Sequence, residues 1–124
     1  MENDMGTFKV AIEIGDPRGE RWERVEALVD TGATYSVVPA SILRRLNITP
    51  HVRAPFILAD GRQVEREVGR TWVRINGLSE IVLVVFGDED GEALLGAHTL
   101  ESLRLAPDPV AHRLIPVPGL LMNI

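Results

Sequence analysis

Asp30 closes the apolar run Ala27-Leu28-Val29 and is followed by Thr31-Gly32-Ala33; Thr34-Tyr35-Ser36 then leads into a second apolar run at Val37-Val38. A carboxylate at the end of an apolar strand, beside two small residues, is open to approach by backbone N–H groups, and such charge-assisted hydrogen bonds hold it in place. Gly32 admits those N–H groups and Ala33 keeps the turn compact. The chain has seven aspartates, Asp4, Asp16, Asp30, Asp60, Asp88, Asp90 and Asp108, and only Asp30 stands in an Asp-Thr/Ser-Gly context. A turn aspartate that merely caps its own backbone uses the same residue types. The flanks decide between the two readings, because Asp-Thr-Gly-Ala between two apolar β segments is far more specific than Asp-Thr-Gly alone.

The pattern resembles the active-site loop of the aspartic proteases, and the chain length and a second motif point to their retropepsin-like branch, in which each subunit contributes one such loop. The second motif is Leu94-Leu95-Gly96, followed by a short helix with Leu100 and Leu103. It looks like the family's hydrophobic pair and glycine, which pack beneath the active-site loop. The match covers residues 8 to 117 roughly. It implies Asp30 as the catalytic residue and Thr31, Gly32 and Ala33 as its loop, with Thr31 hydrogen-bonding across a dimer. The hairpin Leu58, Ala59, Asp60, Gly61 and Arg62 lies between the two signatures, where the family has its substrate-binding flap.

Amide hydrolysis by carboxylates needs two of them sharing one proton. The ionised partner draws a proton from a water, which attacks the carbonyl carbon; the protonated partner bonds the carbonyl oxygen and then supplies the leaving nitrogen. With one such aspartate per chain, the second comes from another copy, and a two-fold homodimer sets Asp30 opposite Asp30. A monomer is then inert. The expected partners are a peptide or protein substrate and a second copy, with no metal or organic cofactor. An acidic working pH follows from the shared proton. The alternative is a non-catalytic dimeric peptide-binding module on the same barrel. An actin-like nucleotide site, which Asp30 to Tyr35 superficially fits, needs two large lobes that 124 residues cannot build.

There are departures from the viral pattern. The tip Asp60-Gly61-Arg62 is charged where retroviral flaps are glycine-rich, and Thr34 stands where retroviral enzymes carry an acidic residue. The acidic loop 87–92 and the Asp108-Pro109 turn resemble the cellular and bacterial relatives more than the viral enzymes.

The elements that must position these residues read as short strands. Phe8 to Ile14 alternates, Gly15 to Gly19 turns, and Trp22 to Val29 delivers Asp30. Pro39 suits the first turn of a short helix with Ile42, Leu43 and Leu46 on one face, and Asn47 stops it. Phe56 to Ala59 and Arg62 to Val64 flank Asp60-Gly61, read as a two-residue turn with positive φ at both positions. Val68 to Ile75 and Ile81 to Phe86 pair across Asn76-Gly77. Ala93 to Gly96 is a buried strand, Ala97 to Leu103 a helix, Asp108-Pro109 a turn, and Arg113 to Val117 a late strand. About seven strands and two short helices imply a mainly β fold, a closed acid-protease-like barrel with one lobe per subunit. Residues 1–7 form the N-terminus, 8–117 the domain, and 118–124 a tail that could join the dimer interface.

Composition sets the bounds. Aromatics make up only 5% of the chain, so Val, Leu and Ile must fill the core. The net charge of -5, with no basic stripe, argues against nucleic acid. The absence of cysteine excludes disulfides and thiolate zinc sites. His51, His98 and His112 have no metal-ligand spacing, and Asp88 to Glu92 reads as a solvated loop rather than a calcium loop. Trp22 and Trp72 read as core or hairpin-face residues. The start lacks a basic and apolar leader, and the run Ile81 to Phe86 is too short to span a bilayer, so a cytoplasmic protein with no membrane partner is expected.

Overall fold

The computed structural model describes residues 7–119 and Leu121. Its element order is β1 (Phe8–Gly15), β2 (Trp22–Val29), β3 (Ser36–Pro39), α1 (Ala40–Arg45), β4 (Val52–Ile57), β5 (Gln63–Ile75), β6 (Leu78–Gly87), β7 (Ala93–Leu95), α2 (Ala97–Leu103), β8 (Leu105–Asp108) and β9 (Arg113–Pro116). Six strands close into a barrel in the order β1-β2-β7-β3-β6-β5, with β5 returning to β1 through Glu13↔Arg74, Ile14↔Val73 and Gly15↔Trp72. β4 hangs on β5 outside this ring, and β8 and β9 form a separate two-stranded sheet.

Alternation in each strand sends one face inward. Ile12 and Ile14 of β1, Ala27 and Val29 of β2, and Val82, Val84 and Phe86 of β6 meet Val38, Leu95, Leu100 and Leu103 in one core. Aliphatic residues dominate it, as the low aromatic content requires. The joint between β1 and β5 is fastened outside by Arg74, whose Nε donates to Glu13 Oε1 at 2.8 Å while its guanidinium lies 3.9 Å from the Trp22 ring. Trp22 and Trp72 therefore work at the barrel surface: the Trp22 indole donates to Gly19 O, and Trp72 lies under Gly19.

Four local readings are corrected. Pro39 ends β3 with ψ 135° and caps α1 from outside, so the helix begins one residue later. Gln63-Val64 and Val68 to Ile75 belong to one thirteen-residue strand, β5, with Arg62 left in the loop; Glu65, Arg66 and Glu67 obscured it because that stretch pairs only with β4. The Asp60-Gly61 turn is a three-residue loop. Gly61 alone has positive φ (88°), its N–H donates to Leu58 O at 2.9 Å, and Leu58 N–H donates to Arg62 O at 2.8 Å. A turn closed this way needs left-handed backbone only at its third loop residue. Asn76-Gly77, by contrast, has φ of 52° and 82° and joins Ile75↔Leu78 as a true two-residue turn. Finally, the described residues contain nine strands. The apolar segment at Val37-Val38 forms β3, and β8 is a further strand, hidden in sequence by Pro107 and Pro109.

Candidate active site

Asp30 sits where β2 leaves the barrel. β2 lies parallel to β7, and Asp30 N–H donates to Leu95 O at 3.0 Å. The chain then turns: Ala33 N–H donates to Asp30 O at 3.1 Å, and Gly32 N–H donates to the Asp30 carboxylate Oδ1 at 2.9 Å. The carboxylate is half-buried and aimed by a backbone donor. A Cβ on Gly32 would stand 3.2 Å from Oδ1, so the glycine keeps that approach open. Thr31 is exposed, and its hydroxyl has no hydrogen-bond partner among the described residues.

The second motif lies directly beneath. Ala97 N–H donates to Ala33 O at 2.8 Å and His98 N–H donates to Thr34 O at 2.9 Å, so the start of α2 carries the loop's carbonyls. Gly96 passes so close that a Cβ there would lie 2.6 Å from Tyr35 O and 2.9 Å from Ala33 O. The Gly96 N–H goes to Ser36 Oγ at 3.0 Å, and Ser36 Oγ is 2.6 Å from Thr99 Oγ1. Both hydroxyls are buried.

A groove of about 610 Å³ runs from Gly32, Ala33, Thr34 and Tyr35 along the hairpin residues Phe56, Leu58 and Ala59 to Asp88, Gly91 and Glu92. Val37, Val85 and Leu94 make its floor apolar. Tyr35 and Phe56 meet edge to face at 5.8 Å, joining the loop to the hairpin. The structure thus brings the Asp30 loop and the base of the hairpin together. Leu58 and Ala59 line the groove, whereas Asp60, Gly61 and Arg62 stand exposed beyond it. Asp30 itself is not part of the lining, which starts at Gly32.

The hairpin tip is braced. Arg62 donates to Asp60 twice, from its backbone N–H to Oδ1 at 3.0 Å and from Nε to Oδ2 at 2.8 Å. These bonds, the backbone one foremost, hold the Asp60 carboxyl below the usual carboxylate range. The 87–92 loop is exposed but tethered. Glu92 pairs with Lys9 at 2.7 Å, Asp88 reaches Arg66 at 3.5 Å, and Glu89 accepts the Ser41 N–H at 3.0 Å. Its place at the groove was not legible in sequence, since these partners lie far away along the chain. Tyr35 and Phe56 were missed for the same reason. Thr99 had a signal: with Leu103 it is spaced i, i+4 on the apolar stripe of α2, where a hydroxyl needs a partner.

Among the described residues no cluster of three or more His, Asp or Glu could hold a metal ion, and no helix is long and apolar enough to cross a membrane. His112 stacks on Phe8 at 5.6 Å, and His98 lies 6.4 Å from Tyr35.

A barrel with a carboxylate loop hung on a second, glycine-containing crossing defines the acid-protease class of fold. The family model described as gag-polyprotein putative aspartyl protease matches residues 21–102, two-thirds of the chain, and the chain belongs to that family. Solved structures agree on the fold. The solution structure of simian foamy virus (mac) protease superposes with a TM-score of 0.54 at 18% identity, covering 75% of this chain and 91% of that one. EIAV protease complexed with the inhibitor HBY-793 gives 0.55 at 20% identity, covering 83% and 93%. No curated protein matches the chain.

Proposed function

We propose that the protein is an aspartic endopeptidase that works as a homodimer, with Asp30 of each copy forming one carboxylate dyad. The observation that carries this reading is the Asp30 carboxylate, held by the N–H of Gly32, the residue at which the lining of an apolar groove begins. Family membership supports it. A carboxylate beside the groove rather than within its lining suits a site completed by a second copy. So does an exposed Thr31 hydroxyl with no partner among the described residues, which can bond across the two-fold axis.

In this reading an extended peptide lies in the groove between residues 32–35 and the hairpin. Leu58 and Ala59 cover it and Asp60, Gly61 and Arg62 form the flap tip, offering backbone groups in the manner of an added strand. One Asp30 takes a proton from the attacking water and the other donates one to the carbonyl oxygen. Gly32 and Ala33 keep the two carboxylates approachable. The acidic loop 87–92 and the Asp108-Pro109 turn support a kinship with cellular and bacterial relatives, and a cytoplasmic location completes the proposal.

The test is cleavage of a mixed peptide library between pH 4 and 7 by wild type and by Asp30→Asn, with solution mass recorded on the same samples. Cutting by a dimeric wild type, and none by a dimeric Asp30→Asn, is the expected result. A folded wild-type dimer that cuts nothing contradicts the reading and favours a binding module.

A further inference from the structure

Two buried hydroxyls lie under the Asp30 loop, and the carboxylate chemistry makes no use of either. Thr99 is wholly buried, Ser36 is 4% exposed, and their oxygens are 2.6 Å apart. Their neighbours along the chain, Val38, Leu95, Leu100 and Leu103, are buried aliphatic residues of the core. A valine has nearly the shape of threonine and would carry no polar cost there. The hydroxyl at position 99 is therefore accounted for by its bond to Ser36.

Ser36 in turn solves a problem of the fold. Gly96 passes under the loop at a distance that leaves no room for a side chain, and its N–H is buried with no backbone carbonyl to receive it. A buried backbone donor must be paired, and Ser36 Oγ is the partner at 3.0 Å. Three hydrogen bonds then fix the loop to the same segment: Asp30 N–H to Leu95 O, Ala97 N–H to Ala33 O, and His98 N–H to Thr34 O. All three depend on where residues 95–98 sit. The carboxylate depends on the loop, because Gly32 N–H holds Oδ1.

We propose that Ser36 and Thr99 are positioning residues, whose hydroxyl pair locks α2 and residue 96 against the active-site loop and so fixes the direction of the Asp30 carboxylate. The proposal rests on the endopeptidase reading for its kinetic consequences, though not for its structural ones. Catalysis by positioned groups is steeply sensitive to displacement, with about 1 Å worth a hundredfold. The two residues are not equivalent. Removing the Ser36 oxygen orphans both the Gly96 N–H and the Thr99 hydroxyl, whereas removing the Thr99 hydroxyl leaves Ser36 still bonded to Gly96.

The experiment compares kcat, KM and thermal stability for wild type, Ser36→Ala, Thr99→Val, the double variant and Thr99→Ser. Ile75→Val serves as a control that removes buried volume from the end of β5. Ser36→Ala is expected to lower kcat by roughly tenfold to a hundredfold with KM nearly unchanged. Thr99→Val falls less, the double variant falls no further than Ser36→Ala, and Thr99→Ser, which keeps the hydroxyl, retains most activity. A Ser36→Ala enzyme with the kcat of Ile75→Val at matched stability overturns the proposal. Amide hydrogen exchange on the same proteins separates this from a failure of the endopeptidase reading. If no protein cuts any peptide, that reading fails. Faster exchange at Gly32 and Ala33 as well as Gly96 in Ser36→Ala still sustains the positioning role, and faster exchange at Gly96 alone overturns it.

Discussion

Replacing Gly96 by alanine tests how tightly the two signature segments are built against each other. A Cβ at position 96 would stand 2.6 Å from Tyr35 O, 2.7 Å from Tyr35 C and 2.9 Å from Ala33 O. These are backbone atoms of the active-site loop, so no side-chain rotation relieves the clash. The segments must part by about 0.8 Å to reach ordinary contact. That movement carries the Ala97 N–H to Ala33 O bond, now 2.8 Å, out of hydrogen-bonding range, and it strains the 3.0 Å bond from Gly96 to Ser36. Overpacking costs about 1–3 kcal/mol and each lost bond about 1 kcal/mol, for a total near 3 kcal/mol. A domain of this size has about 5–15 kcal/mol of stability to lose. The melting temperature should fall by about 10 °C. Thermal unfolding followed by circular dichroism reads it, with Gly119→Ala as the control, because nothing lies within 4 Å of a Cβ there. Peptide cleavage should fall more steeply than stability, since the displaced atoms belong to the loop that carries Asp30. A Gly96→Ala protein that melts within about 2 °C of wild type and cleaves equally well would refute the reasoning.

Other outcomes follow from single sites. Leu103→Ala removes a fully buried side chain from the core face of α2 and should cost about 2–5 kcal/mol in denaturant unfolding. Asp60→Ala removes both bonds that brace the hairpin tip. Because the pair is exposed, stability should change little, while on the endopeptidase reading KM for a peptide should rise as the hairpin tip loosens. The carboxyls of Asp60 and Asp16 are both held below the usual range, Asp60 chiefly by the Arg62 N–H and Asp16 chiefly by the Glu20 N–H. A lowered folded-state pKa stabilises above the unfolded value and ceases to do so as pH falls through the folded one. Stability should therefore be level near neutrality and decline only once the pH drops into and below the ordinary aspartate range; Asp16→Asn should blunt that decline.

The barrel was legible because its strands announce themselves locally. Phe8 to Ile14 and Trp22 to Val29 alternate, and Asn76-Gly77 marks its turn without help from the rest of the chain. The Asp30 loop and the Leu94-Leu95-Gly96 crossing were legible as motifs, and their mutual contact came from resemblance. What escaped was set by tertiary placement. Glu65-Arg66-Glu67 reads as a break, yet it lies within the first half of β5, because that stretch extends beyond the barrel and pairs only with β4. Tyr35 and Phe56 lie far apart along the chain and meet only when the hairpin folds over the loop. The two-residue reading of Asp60-Gly61 failed because Asp60 accepts the N–H of Arg62, two residues on, and keeps negative φ, leaving Gly61 to take the left-handed position alone.

The central claim is that two copies of Asp30 make one site, and subunit mixing tests it most directly. Wild type and Asp30→Asn are unfolded together, refolded at varied ratio and constant total concentration, and assayed on one peptide with solution mass recorded. If the dyad needs an aspartate from each copy, only wild-type pairs cut, and activity falls as the square of the wild-type fraction in a sample of dimer mass. Activity falling in simple proportion to that fraction, or persisting in a sample of monomer mass, would contradict the shared carboxylate pair.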